Sequence, residues 1–191
     1  RQCIGRVGVI DIDRRARATD HGALEASAHR LDTLQILQCR PHIAARRAGA
    51  VIDLDHIDAC FHALRQHADA VVVEGAGGFI VPLCEPDPDL GGDWVTSADL
   101  AQRLNLPIIL TVGLRLGCIN HALLSARAIA ADGAHLAGWI ASHVDPAMER
   151  VDDNLAMLRE RLPAPCWGVL PHAQHPDPAL LASRLRIPML A

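Results

Sequence analysis

Lysine is missing altogether: all 18 cationic side chains of the 191 residues are arginine. That excludes any step that needs a compact ammonium charge, because the guanidinium is a wide planar fork and not a point donor. No GxxxxGK[ST] segment occurs either, so these residues hold no phosphate-cradling loop of that type. Aromatics are scarce, with no tyrosine, two phenylalanines and three tryptophans. No CxxC pair exists among the six cysteines, Cys3, Cys39, Cys60, Cys84, Cys118 and Cys166. Scattered through an alanine-rich chain, they read as buried small residues of a reducing compartment and not as a disulfide framework. The 11 histidines show no HxxxH spacing, which sets a zinc site aside. Positive charges stand singly or in pairs in a chain of net charge −4, so no basic stripe marks a nucleic-acid partner. No apolar run nears the ~20 residues of a membrane span and no leader pattern opens the chain, so a cytoplasmic location without a membrane partner is expected. The chain starts at Arg1, and a true start upstream is expected.

What the chain does have is length and periodicity. Half of the residues are apolar, enough for one domain with a full core. From about residue 50 onward, strand and helix signals alternate. Ile57, Cys60, Phe61 and Leu64 fall on one helical face over roughly 56–67, behind Asp55 as N-cap. A strand follows from Ala70 to Glu74, and "PLCEPDPDLGGDW" then reads as loop. Ser97 is expected to cap a short helix, followed by the strand "PIILTV" at 107–112 and a helix near 119–132. The strand "LAGWIA" at 136–141, a helix near 148–161 and the strand "CWGVL" at 166–170 continue the series. Asp177 and Pro178 open a last helix as N-cap and first residue. This alternation predicts an α/β fold, a doubly wound parallel sheet covered on both faces. Residues 1–40 are set apart from 41–191: "VGVIDI" has strand character, but the stretch after it lacks a clean period.

Two motifs carry candidate chemistry. In "VVVEGAGG" a buried strand ends in Glu74 and then in glycines, at the strand end where ligands of open parallel sheets collect. A carboxylate beside bare backbone suits Mg²⁺ with substrate phosphates; the same pattern also describes a strand-end turn whose acid is merely solvated. In "TVGLRLGCINHALL", Gly117, Cys118, Ile119 and Asn120 would form a first helical turn, whose free N–H groups attract a carboxylate or phosphate. The alternative is an ordinary junction with Cys118 packed inside. No base is evidently paired with Cys118, which argues against a nucleophile.

Taken together and in order, "VVVEGAGG", "DWVTSADLAQRLNLPIILTVGLRLGCINHALLSARAI", "LAGWIASHV" and "LPAPCWGVLP" resemble the dethiobiotin synthetase family from about Pro41 to Pro188. The resemblance implies a sheet of the P-loop NTPase type and an ATP- and Mg²⁺-dependent ligase of biotin biosynthesis. In that reaction a carbamate of 7,8-diaminononanoate, formed with CO₂, is phosphorylated and closed to the ureido ring of dethiobiotin. It also implies a homodimer with the substrate at the subunit interface. Carried over residue by residue, Glu74 matches the magnesium ligand and Gly77 the substrate-facing turn. Gly117, Cys118, Ile119 and Asn120 match the helix start that holds the substrate carboxylate. Pro171, His172 and Ala173 match an adenine-pocket loop, and Asp177 an acid near the ribose. Ser142 stands where the family usually has the asparagine that reads adenine.

The front departs from the pattern. The family opens with a P-loop of the type GTDTxVGKT, and a later KPV strand brings a second lysine. Neither catalytic lysine has a counterpart here. Asp20 is a possible equivalent of a second metal-binding aspartate. The expected outcome is a dethiobiotin synthetase chain that is impaired as written, through a wrong start, a frameshift near residue 40 or gene decay. The alternative is a catalytically silent dimeric relative that binds substrate or regulates. A relation to cobyrinate-type amidation ATPases is weaker, because "LGCINHA" is present. Without the family's front, unpaired backbone is expected beside a central strand.

Overall fold

The structure is a computed structural model that describes residues 7–11, 41–48, 51–68, 70–75, 77–86 and 92–188. Asp20, Cys3 and Cys39 lie outside the described residues, as does most of the segment set apart as 1–40. The strands are β1 (Val7–Asp11), β2 (Val71–Glu74), β3 (Pro82–Cys84), β4 (Val95–Thr96), β5 (Ile108–Gly113), β6 (Leu136–Ser142) and β7 (Cys166–Leu170). The helices are α1 (Pro41–Ala48), α2 (Leu54–Arg65), α3 (Ser97–Leu104), α4 (Cys118–Ala131), α5 (Val151–Arg161) and α6 (Pro178–Ala182).

The main sheet has the order β2-β1-β5-β6-β7. β5, β6 and β7 pair in parallel, with Gly113 opposite Ser142 and Ser142 opposite Leu170. This parallel core between helices is the α/β architecture that the periodicity predicts. β1 is antiparallel to both neighbours, so β2 runs with β5, β6 and β7 while β1 alone runs against them. The gap between β2 and β5 is therefore not open: Val7–Asp11 fills it, with Val9 opposite both Val73 and Ile108.

Period-two alternation sorts the strand residues onto two faces. Ile108, Leu110 and Val112 of β5 and Trp139 and Ala141 of β6 join the larger core, with Leu114, Ala122, Ile129 and Leu158 from the α4 and α5 side. Ile109, Ile140 and Trp167 form a smaller cluster on the other face. Three successive residues of β5 are buried, as a strand covered on both sides requires.

Capping chemistry corrects two boundaries. Asp53, and not Asp55, caps α2: its extended backbone lets the carboxylate accept from Asp55 N–H and His56 N–H at 2.9 and 3.2 Å. Thr96, and not Ser97, caps α3 through a reciprocal box with Asp99. Part of the proline-rich stretch read as loop pairs, Pro82 and Cys84 forming an antiparallel ladder with β4. Asp177 caps α6 with Pro178 in its first turn, as the sequence predicts.

β6 and β7 approach so closely that a Cβ at Gly138 would lie 2.2 Å from the Trp167 indole. The ring is buried and cannot swing aside. Gly138→Ala is therefore expected to cost about 3 kcal/mol, read as a lower urea midpoint with an unchanged slope. An unchanged midpoint would show that the indole has room this packing denies it.

Candidate functional site

One edge of the sheet gathers the candidate residues. Glu74 ends β2, Gly113 ends β5, Ser142 ends β6 and Leu170 ends β7, and these strands share one direction. Their carboxyl ends therefore open on the same side, the position favoured for ligands in such sheets. At ~4.8 Å per strand, β2 and β5 are roughly 10 Å apart and β7 is roughly another 10 Å beyond.

The alternation of β2 turns Val71 and Val73 toward the main core and leaves Val72 and Glu74 exposed. The carboxylate thus stands at the strand end, beside a turn in which Gly77 and Gly78 take φ of 93° and 146°. Side chains strain in that region, so the turn presents bare backbone. Ser97 locks it from below. Its hydroxyl accepts from Val81 N–H at 3.0 Å and donates to the Phe79 carbonyl at 2.5 Å, while its own N–H donates to the Val81 carbonyl at 2.9 Å. Buried Phe79 anchors the same turn in the core.

The second element is the start of α4. Leu114 N–H donates to the Ser142 carbonyl at 2.7 Å, which ties the loop to the end of β6. Gly117 is the N-cap at φ 90°, a conformation suited to glycine, and no side chain caps this helix. Of the first-turn N–H groups, that of Cys118 donates to the Arg115 carbonyl at 3.0 Å, and no side chain accepts from the others as a cap. Cys118 is buried with its Sγ 3.9 Å from Asn154 Oδ1, so it packs inward, whereas Asn120 is exposed and Ile119 half-buried. The junction therefore has the packed cysteine of the ordinary reading, at a helix start without a side-chain cap.

The third element lies at the ends of β6 and β7. His143 N–H donates to the Leu170 carbonyl at 2.9 Å, and His172 Nδ1 lies 3.3 Å from the His143 carbonyl oxygen. Pro171 lines a cavity of about 310 Å³ together with His143; Ser142, His172, Ala173 and Asp177 are not among its lining residues. Asp177 instead uses Oδ1 to accept from Ala179 N–H and Leu180 N–H. His143 was not singled out from the sequence, and a lone histidine in "ASHVD" carries no spacing signal that would have done so.

Among the described residues no three His, Cys, Asp or Glu side chains converge as a metal cluster. Burial, and after it the Asp53 carboxylate, push the Cys84 thiol above its usual range. It remains a thiol and donates to the Ile52 carbonyl at 3.0 Å, which makes it a strut and not a nucleophile.

A family model described as an AAA domain matches residues 13–179. The chain is 55% identical over 148 residues to an ATP-dependent dethiobiotin synthetase of Aromatoleum aromaticum, covering 78% of this chain and 62% of that protein. Proteins of the same name from Janthinobacterium and Ralstonia nicotianae are 50% and 51% identical, over 77% and 79% of this chain and 59% and 63% of theirs. The chain thus spans about three-fifths of the length of these curated relatives.

Since the Ser97 hydroxyl serves Val81 N–H and the Phe79 carbonyl at once, Ser97→Ala is expected to destabilise the fold by about 2 kcal/mol. The measurement is a pair of urea melts joined to hydrogen exchange. Exchange at Gly78 to Val81 should accelerate more than exchange in β5; equal acceleration would remove Ser97 as the lock of this turn.

Proposed function

We propose, for a chain that belongs to the AAA domain family, that it carries the metal, substrate and nucleotide side of a dethiobiotin synthetase. The reaction is the ATP-dependent ureido ring closure of 7,8-diaminononanoate with CO₂. The observation that carries this reading is the convergence of Glu74, the Gly77 turn and the Gly117–Asn120 helix start on one sheet edge, together with relatives of that name at 50–55% identity.

Each residue has a physical task in that reading. The Glu74 carboxylate fits Mg²⁺, because that ion takes one or two carboxylates and completes its shell with water and phosphate oxygens, so no larger cluster is required. When bound, Mg²⁺ would neutralise charge on the phosphates. The backbone of Gly77 lets the substrate approach without a side chain in the way. At the start of α4, where the Cys118 N–H already donates to the Arg115 carbonyl at 3.0 Å, the Ile119 amide and the Asn120 side chain would hold the substrate carboxylate, assisted by the helix dipole. Ser142, Pro171, His172, Ala173 and Asp177 are assigned to the nucleotide.

A homodimer and a cytoplasmic location belong to the same proposal. Leu116, in the turn before α4, and Leu124, on α4, are 96% and 55% exposed and offer apolar surface to a second copy. No helix among the described residues is long and apolar enough to cross a membrane.

The 191 residues contain no lysine, and positioning with charge neutralisation at the phosphates supplies most of the catalysis in phosphoryl transfer. These residues alone are therefore expected to form no dethiobiotin from ATP, CO₂ and 7,8-diaminononanoate. Placing a relative's P-loop and KPV segment before Pro41 should give turnover, followed as dethiobiotin by mass spectrometry. In that chimera Glu74→Gln should lower kcat about 100-fold, the scale of one lost transition-state electrostatic contact. Asn120→Ala should instead raise KM about tenfold with little change in kcat. Steady turnover by the unmodified chain, lost on Glu74→Gln, would overturn the first expectation. A folded but inactive chimera would favour a silent binding subunit.

A further inference from the structure

Asn154, in the first turn of α5, has both ends of its side-chain amide engaged. Its Nδ2 donates to the Arg150 carbonyl at 2.8 Å, and its backbone N–H donates to the same oxygen at 3.1 Å. Arg150 is the N-cap of α5 and takes φ 56°, a left-handed conformation uncommon for a residue with a side chain, and no side chain caps this helix. Backbone in that region persists only where its surroundings fix it, and such positions gather at functional sites. The Arg150 carbonyl can only accept, so Nδ2 must face it and Oδ1 must point the other way. There the amide meets α4: the buried Cys118 thiol lies 3.9 Å from Oδ1 and donates to it. Cys118 is the first residue of α4, with Ile119 and Asn120 directly after it. One half-buried side chain thus ties the start of α5 to the start of α4.

We propose that Asn154 is a positioning residue for the substrate carboxylate: by holding the Cys118 side chain, it sets the direction in which the Ile119 N–H and the Asn120 side chain meet that group. The inference rests on the carboxylate assignment proposed above and adds to it a residue that touches no ligand. Burial alone leaves a small thiol a choice of rotamers, and an acceptor on the neighbouring helix selects one of them. The selected rotamer fixes the first residue of α4 against α5, and the next two residues inherit its orientation. Hydrogen bonds weaken steeply away from their preferred angle, and those to a charged acceptor carry the most energy. A small tilt of this turn is therefore felt at the carboxylate and hardly at all by the rest of the substrate.

The test is a ligand-observed NMR titration of the full 191-residue chain with 7,8-diaminononanoate and with its methyl ester, which keeps the amines and the chain but carries no carboxylate charge. The parent is expected to bind the acid about tenfold more tightly than the ester, the scale of one charge-assisted hydrogen bond. Asn154→Leu, which keeps the volume but neither donor nor acceptor, should cut that preference to about threefold or less while ester binding stays within about twofold of the parent. Cys118→Ala should do the same, and the double variant should lose no more than either single one, because both remove one contact. Thermal melts show which variants keep the fold; where Asn154→Leu does not, the milder Cys118→Ala carries the test. An unchanged preference in the folded variants overturns this inference while leaving the carboxylate assignment standing. Equal weakening of acid and ester overturns it as well, since Asn154 would then support the fold and not the direction of the turn. A double variant that loses the sum of the single losses also overturns it. If the parent binds the acid no better than the ester, the carboxylate assignment falls together with it.

Discussion

The structure depends on the pairing of β5. A strand buried on both faces has no water to satisfy its backbone, so every N–H and C=O along it needs a partner from a neighbouring strand. β6 supplies one side in parallel, over six residue pairs from Ile108 to Gly113. β1 supplies the other across Val7 to Val9. The parallel side does more than stabilise. It aligns the ends of β5, β6 and β7, so the loop to α4, the Ser142–His143 step and the Leu170–Pro171 step emerge side by side. Without that register, the start of α4 and the cavity beside Pro171 would not share an edge.

The alternation of elements was legible wherever burial dictates pattern. Ile57, Cys60, Phe61 and Leu64 announce α2 because one face of it meets the core, and "PIILTV" announces β5 because both of its faces do. Legibility failed where position hangs on a single hydrogen bond. Asp53 and Asp55 are equivalent N-caps on composition, and only the extended backbone at Asp53 decides between them. "TSAD" holds a capping box that begins at Thr96 and frees Ser97 for the glycine turn. β3 and β4 were hidden because Pro82 opens the ladder and a bulge interrupts it. α1 was missed because "PHIAARRA" offers little apolar period beyond Ile43 and Ala45.

For the candidate site, residue types pointed to one edge of the sheet but not to the contacts made there. Glycines at 77 and 117 are visible in the sequence, and positive φ explains both. The roles of Cys118 and Asp177 depend on direction, which no spacing encodes: one thiol packs inward, and one carboxylate turns toward its own helix. His143 shows the same limit, since nothing in the spacing of an isolated histidine places it at the wall of the cavity.

The lone reversed strand has a consequence for traffic along the chain. Gly8 sits opposite Glu74 at the carboxyl edge, whereas Asp11 sits opposite Val71 at the far one. The polypeptide therefore arrives at β1 beside the gathered site residues and departs on the other side of the sheet. Asp11, three residues beyond the one opposite Glu74, thus ends the strand about 10 Å from the Glu74 level. Turning that one strand end for end would move its end to the edge where Glu74 stands. Strand polarity, more than the identity of any residue within β1, decides at which edge of the sheet this strand ends.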